Sequence, residues 1–298
     1  MPTNVSWLVY NGGLYTEKFK DYERLITEAA SRRGLDMHPV ANDELLVQLS
    51  ETGAVDTESR LPEPDFIHFA DKDIFLAEAL EAAGMRLFNC SKTIALCDDK
   101  RSMHRAFAAK GIRQPKTYMA PMAYSGVGRE DLHYVERVQA LLGFPLIIKE
   151  AFGSFGEQVY WIESREKLFE TAAGLQGTPH LYQEVITDSI GKDVRINVIG
   201  GKAVAAMKRT SAADFRANVT AGGAAEPYRA SAAQLNTALQ AARAVGADFA
   251  GVDLFLNDGE PIVCEVNSNP HVRSIIECTG IHVEDDMIEH MMQKGSRL

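Results

Sequence analysis

The chain has 298 residues, 46% of them hydrophobic and 24% charged, with a formal net charge of −10. That length holds two domains, or one domain with subdomains, and the composition is that of an ordinary globular protein. The negative balance argues against broad nucleic-acid binding, whose affinity comes from neutralising phosphates, and no apolar run is long enough to cross a bilayer. The start of the chain lacks the basic flank and apolar stretch of a secretory signal, and Cys90, Cys97, Cys264 and Cys278 form no C-x-x-C pair. The expectation is a cytoplasmic enzyme or binder of small molecules in a reducing compartment, with no nucleic-acid or membrane partner. A homo-oligomer stays open.

Residues 5–90 alternate strand and helix signals. Val5–Tyr10 is a short apolar run closed by the turn residues Asn11-Gly12-Gly13, and Thr16–Arg33 carries Phe19, Tyr22, Leu25, Ile26 and Ala29 at helical spacing. Leu35–Val40 and Asp65–Ala70 read as the second and third strands, Asp71–Ala83 as a helix, and Met85–Asn89 as a fourth strand. This alternation predicts a parallel sheet with helices on both faces. Ser50–Pro64, rich in Glu, Asp, Thr and Pro, is expected to be a surface loop. One helix is predicted over Ser91–Lys110, ended by Gly111. Strands follow at Lys116–Ala120, Leu146–Glu150, Gln158–Ile162, Leu181–Ile186, Asp193–Ile199 and Lys202–Lys208, with helices at Ser164–Ala173 and Ala232–Val245. The architecture changes near residue 90, and the expected domains are 1–90, 91–180 and 181–298.

Lys149 ends an apolar run and enters the loop Gly153-Ser154-Phe155-Gly156 before the next strand. A lysine in a strand–glycine loop–strand unit offers charge to phosphate oxygens, and loop N–H groups can close over a polyphosphate. A plain hairpin loop is the alternative, and the absence of a following helix excludes a P-loop. Between Thr187 and Asn218 six lysines and arginines face three aspartates, so an anion would be drawn there, unless the stretch is only a solvated sheet face. Near the C-terminus, residues 251–256 and 262–267 read as a hairpin. Pairing Leu256 with Ile262 sets Asp253 opposite Glu265, with Asn267 on the same face. Opposed carboxylates repel, so positive charge belongs between them, and the oxygen set of Asp, Glu and Asn suits Mg2+. Two exposed acids on an edge hairpin are the plainer reading.

In combination these features are specific. Lys149 with its glycine loop, the Gln183–Ile186 strand, Asp193-Val194-Arg195, Asp214–Asn218 with Gly222-Gly223, and Gly251-Val252-Asp253 through Glu265-Val266-Asn267 occur in one order. They resemble the ATP-grasp superfamily, and within it the RimK-like α-L-glutamate ligases, across residues 95–290; Asp99-Lys100 looks like the family's early nucleotide-binding lysine. The resemblance implies an α/β (α+β) ATP-grasp fold of two α+β subdomains preceded by a Rossmann-like βα domain. It implies ATP between the subdomains, with Lys100 and Lys149 on phosphates and Gly153, Ser154, Phe155 and Gly156 as a lid. The backbone of Glu184 and Val185 would read adenine, and Asp193 would hold the ribose side. Asp253, Glu265 and Asn267 would hold Mg2+, for which Mn2+ can substitute. Arg195, Arg216 and Asn218 would be the catalytic set at the γ-phosphate and the attacking carboxylate. The implied reaction turns a carboxylate into an acyl phosphate, from which an amine displaces phosphate. The implied substrates are an amino acid, glutamate foremost, and an amine acceptor: an amino acid, a peptide or a protein terminus.

The chain departs from the family pattern where Asn267-Ser268-Asn269-Pro270-His271-Val272-Arg273 replaces the usual glycine and acidic residues, and Lys208–Asp214 looks short. The acceptor is therefore not carried over. His271 reads as an exposed loop histidine, with acceptor contact as the alternative, and Asn11-Gly12-Gly13 as a turn that could line an acceptor cleft. The rival functions are an ATP-grasp ligase of other amino-acid or peptide specificity, a catalytically silent ATP-binding regulatory module, and a nonenzymatic Rossmann-type binding protein.

Overall fold

A computed structural model describes residues 5–49, 51, 55–57, 61–124, 132–153, 156–212, 214–217, 223–257 and 259–295. The N-terminal unit holds β1 (Val5–Tyr10), α1 (Glu17–Arg32), β2 (Asp36–Ala41), β3 (Val47–Leu49), β4 (Val55–Thr57), β5 (Phe66–Phe69), α2 (Ile74–Ala82) and β6 (Leu87–Phe88). The parallel sheet runs β2-β1-β5-β6. Alternation along β1 explains its two covered faces. Leu8 packs with Tyr22, Leu25, Ile26 and Ala29 of α1, whereas Trp7 and Val9 pack with Leu76, Ala77 and Leu80 of α2. Part of the stretch expected to be a surface loop is instead ordered, because β4 pairs antiparallel with β3.

The single helix expected over Ser91–Lys110 is two, α3 (Ser91–Asp98) and α4 (Lys100–Ala109). Asp99 breaks it by adopting φ −88°, ψ 102°, from which its carboxylate accepts the Arg101 N–H and caps α4. The second sheet contains β7 (Thr117–Met119), β8 (Leu146–Glu150), β9 (Val159–Ile162) and β10 (His180–Glu184) in the order β7-β10-β8-β9, all antiparallel. Two helices, α5 (His133–Leu142), which the sequence reading did not anticipate, and α6 (Arg165–Gly174), capped by Ser164, cover one face. Val135, Val138, Leu168 and Ala172 pack there with Leu146, Ile148, Ile162 and Tyr182. The odd residues of β8, Ile147 and Lys149, therefore point away from these helices.

The third sheet, β13-β12-β11-β14-β15, is also antiparallel. Its strands are β11 (Lys192–Ile199), β12 (Lys202–Thr210), β13 (Ala224–Pro227), β14 (Phe249–Phe255) and β15 (Ile262–Asn267). The amphipathic α7 (Ala232–Val245), with its Ser231 capping box and Gly246 in the left-handed region, buries Ala238, Ala241, Ala242 and Val245 on one face. Met103 and Phe107 of α4 join this core, although they precede the second sheet in the chain. Two short final helices follow, α8 (Arg273–Thr279) and α9 (Val283–Gly295). Among the described residues no helix is long and apolar enough to cross a membrane. The boundary expected at 180/181 falls inside β10, which pairs with β7 and β8. We propose that the second unit ends after Glu184.

The N-terminal and C-terminal units are interlocked. Met287, Ile288 and Met291 of α9 share a core with Leu25 of α1, Phe66 and Phe88. Gly295 permits the approach, because a Cβ there would run into the Phe66 ring. Asn89 ties the units from inside: its Nδ2 donates to the carbonyls of Phe249 and Ser268, both at 2.8 Å, and its Oδ1 accepts from the N–H groups of Asp248 at 2.7 Å and Phe249 at 3.3 Å. Asn89→Ala strands these buried groups. It is expected to cost about 2–5 kcal/mol, read as a lower urea midpoint with an unchanged m-value.

Candidate active site

The register of the third sheet places charge in rows on the face opposite α7. In one row Asp193 on β11 lies between Arg209 on β12 and Phe255 on β14. In the next, Arg195 on β11 is followed by Asp253 on β14 and Glu265 on β15. Alternation brings these side chains to one face, while Val194, Ile196, Val252 and Leu254 go to the other. The expected opposition of Asp253 and Glu265 is present, but the pairing that leads to it is not. Phe255, not Leu256, pairs with Ile262, and a bulge between Asp253 and Leu254 restores the match.

The positive charge that the opposed acids demanded comes from arginine. Arg195 grips Asp253 with two bonds of 2.7 Å, and Arg209 Nη2 reaches the same carboxylate at 2.8 Å. Arg209 also holds Asp193 by Nε at 2.7 Å and Nη2 at 2.5 Å. Asp253 is 2% exposed and Arg209 5%. Burial pushes the Asp253 pKa up, and the two guanidiniums outweigh it and hold the carboxylate below its ordinary range. Burial raises Asp193, which shares Arg209 with Asp253. Both oxygens of Asp193 accept from Arg209, so here it positions an arginine rather than standing free for a ribose.

Lys149 projects from β8 toward this face and is 8% exposed. Lys100, the first residue of α4, donates its N–H to Ala151 at 2.9 Å and its Nζ to the Gly153 carbonyl at 3.2 Å. Burial first, then the Lys149 and Lys72 charges, lower the Lys100 pKa, and Glu265 opposes them. The charges of Lys100, Lys149 and Glu265 thus act on one another where the second and third sheets adjoin. One helical turn along, His104 was not picked out from the sequence, although i+4 spacing from Lys100 puts it on the same helix face. Its Nδ1 lies 2.6 Å from Gln114 Oε1, and Gln183 Nε2 approaches its Nε2 at 3.2 Å. Burial pushes it down to about 4, so it is a neutral ring that donates through Nδ1 and accepts at Nε2.

The glycine loop and the Arg216 loop meet. Gly153 has φ 133° and Gly156 φ 74°, and Arg216 Nη1 donates to the Gly156 carbonyl. Asp214 holds the same guanidinium at 2.9 and 2.6 Å, and Phe215 packs on Trp161 of β9 with ring centroids 5.2 Å apart. Ser154, Phe155, Asn218 and Gly222 lie outside the described residues. Glu184 ends β10 with its N–H bonded to the Lys116 carbonyl at 3.0 Å and its carboxylate on the Lys116 N–H at 2.8 Å; Val185 leaves the sheet immediately after it.

The donors present suit a hard cation in chemistry, since Glu265 and Asn267 present oxygen beside Asp253. Asn267 Oδ1 is oriented by accepting the Asn269 N–H at 2.9 Å. Among the described residues no group of three or more His, Cys, Asp or Glu is arranged to hold a metal, and Asp253 is turned toward its arginines. His271, expected to be exposed, instead packs edge-on against Tyr22 of α1, with centroids 5.7 Å apart.

A family model described as the RimK-like ATP-grasp domain matches residues 97–291. A probable alpha-L-glutamate ligase of Maridesulfovibrio salexigens is 34% identical over 215 residues, 71% of this chain and 68% of that one. Among solved structures, a RimK domain ATP-grasp protein from Sphaerobacter thermophilus has a TM-score of 0.73 at 20% identity, covering 96% of this chain and 98% of that one. The ATP-grasp ligase PsnB, solved with a phosphomimetic variant of its minimal precursor, Mg and ADP, has a TM-score of 0.70 at 19% identity, covering 99% of each chain. At these identities the two structures establish likeness of fold.

The charge row gives its acids different surroundings. Asp253→Asn leaves two buried guanidiniums undercompensated and is expected to cost about 3–5 kcal/mol in urea melts. Glu265→Gln, whose carboxylate is half-buried and makes no described hydrogen bond, is expected to cost about 1 kcal/mol or less in the same melts, through the lost attraction to Lys100.

Proposed function

The chain belongs to the RimK-like ATP-grasp family, and we propose that it joins a carboxylate to an amine at the expense of ATP and Mg2+, with glutamate as an amino-acid substrate. As an ATP-dependent ligase it forms ADP. The observations that support the finer reading are the row Arg209, Asp193, Arg195, Asp253 and Glu265, the charges of Lys100 and Lys149 acting beside Glu265, and Arg216 on the glycine loop. Cations on three elements surround a gap bordered by two sheets and a glycine loop. That arrangement suits a polyphosphate whose terminal group must be neutralised and aligned.

In this scheme Lys100 and Lys149 neutralise phosphate oxygens, and Gly153 to Gly156, with Ser154 and Phe155, cover them. The chain at Glu184 and Val185, which links the two sheets, borders the nucleoside. Asp193 aims Arg209. The residues that would hold Mg2+ are Asp253, Glu265 and Asn267, and the cation supplies charge neutralisation between phosphate oxygens. Arg195, Arg209 and Arg216, with Asn218, hold the γ-phosphate and the carboxylate that attacks it. The carboxylate oxygen forms a bond to phosphorus as the bond to ADP breaks. The amine then attacks the acyl carbon, loses a proton and expels phosphate. The protein needs no covalent nucleophile. A ligase of other amino-acid specificity uses the same machinery, and the loop 267–273 is where such a difference would lie.

An ADP-release screen over amino-acid pairs and short peptides, with glutamate present, tests the activity. Hydroxylamine added with ATP and the activated substrate is expected to trap a hydroxamate. Formation of AMP and pyrophosphate would overturn the scheme, because it means adenylation. Lys149→Ala is expected to weaken Mg·ATP binding by about 1.5–3 kcal/mol in calorimetry. Arg216→Lys is expected to lower kcat by about 10-fold or more, about 1.4 kcal/mol in the barrier, because lysine cannot offer a planar fork, with little change in ATP affinity.

A further inference from the structure

Helix α4 and strand β7 border a groove that no step of the ligase scheme uses. From Lys100 to Lys116 the chain carries six lysines and arginines and no acid, in a protein whose net charge is −10. Arg101, Arg105 and Ala108 stand at i, i+4 and i+7 on one face of α4, while Met103 and Phe107 go to the core. That face, with Lys116, Thr117 and Met119, lines a groove of about 700 Å³, within the roughly 300–1,000 Å³ of ligand clefts. Asp99 is the acid among the described lining residues, and Arg101 takes both its oxygens, with Nε at 3.0 Å and Nη2 at 2.7 Å. The neighbouring Glu184 carboxylate accepts the Lys116 N–H at 2.8 Å. Arg105 and Lys116 are exposed, and among the described residues no acid pairs with either side chain.

The other wall is an open strand edge, because β7 is the outermost strand of the second sheet. The Ala120 N–H donates to the His180 carbonyl and the Glu184 N–H to the Lys116 carbonyl, both at 3.0 Å. Residues 116, 118 and 120 therefore direct their backbone groups to β10, and alternation turns those of Thr117 and Met119 outward. The strand itself is held in place. Thr117 donates its hydroxyl to the Pro115 carbonyl at 2.8 Å and accepts from Gln183 Nε2 at 3.0 Å. An edge with outward N–H and carbonyl groups is a template for a further strand. Arg105 and Lys116 beside it repel the same edge of a second copy and attract a strand of opposite sign. Nucleic acid fits less well: it carries a charge on every phosphate, which the overall negative charge opposes, and it has no use for a strand edge.

We infer that this groove docks an extended acidic peptide segment, added to β7 as a further strand with its carboxylates on Arg105 and Lys116. The site needs nothing from the ligase reading, since neither cation belongs to the phosphate row.

Fluorescence anisotropy on the full chain, with a labelled peptide alternating glutamate and threonine, tests the groove. Wild type is expected to bind this peptide, more weakly as salt rises, and to ignore the lysine–threonine counterpart. Arg105→Glu combined with Lys116→Glu is expected to weaken the acidic peptide by about 10-fold or more and to admit the basic one. Met119→Pro removes an outward N–H, which an edge strand tolerates, and is expected to lower affinity by about 3-fold or more. Of two peptides N-methylated on alternate residues, the one blocked on its pairing edge is expected to lose binding and the other to keep it. No binding of the acidic peptide, or equal binding by wild type and the charge-reversed variant, would overturn the site. Binding that survives Met119→Pro and both N-methylated peptides would overturn strand pairing, and the proposal with it. An oligothymidylate that binds more tightly than the peptide, and is lost in the charge-reversed variant, would make this a nucleic-acid groove and overturn the peptide. If urea melts show that a variant fails to fold, the N-methylated and lysine peptides on wild type still decide.

Discussion

Asp253 cannot be buried as an anion on its own, and much of the site follows from how that charge is compensated. Desolvating a carboxylate costs several kcal/mol unless matched charges and hydrogen bonds replace water. Here two arginines serve two aspartates, with Arg209 shared between Asp193 and Asp253 and Arg195 bonded to Asp253 through Nε and Nη2. The set is neutral overall, fixed in place by strand register, and open at one end toward Glu265 and the two lysines. It keeps guanidiniums beside the place where phosphate charge would arrive. Such preorganisation is what electrostatic catalysis needs, because the dipoles and charges need not be assembled during the reaction.

The elements around that row are joined in ways that resist independent motion. Asn89 fastens the start of β14 and the loop after β15 to the end of the N-terminal sheet. Helix α9 crosses back to complete the N-terminal core, where Asp285 at its start binds Arg32 and Arg33. The second sheet is tied differently. Its glycine loop is held by Lys100 on Gly153 and Arg216 on Gly156, both at loop carbonyls, while Gln183 to His104 and Trp161 to Phe215 tie the sheet itself. A glycine loop held by two side chains is a weaker attachment than a shared core. A lid over a nucleotide requires the same property, since closure must be reversible.

Much was legible before any tertiary contact was known. Short apolar runs located the strands of the N-terminal sheet, which are covered on both faces, and alternating or 3.6-residue patterns located α1, α7 and the final hairpin. The ordered set Lys149, Asp193, Arg195, Asp253, Glu265 and Asn267 identified the family because its chemistry is carried by residue types at fixed places along strands. The elements missed have local explanations. Asp99 looks helical in a sequence, yet its side chain competes for a backbone N–H and caps a second helix. Helix α5 buries only Val135 and Val138, and β13 is a four-residue edge strand, so both offer little apolar surface to mark them in the sequence.

By itself, the sequence determined which residues are acidic or basic and how they alternate, and hence that Asp253 and Glu265 would face each other on one sheet surface. The tertiary structure decided what lies between and around them. Arg209 reaches Asp253 only because β12 and β14 flank β11, His104 enters the site only because α4 packs under β15, and Asp71 meets Asn269 only because two units close on each other. A side-chain period is local and can be read along one strand. The order of strands in a sheet, and the meeting of residues 198 positions apart, are set by long-range burial that no short window of sequence contains.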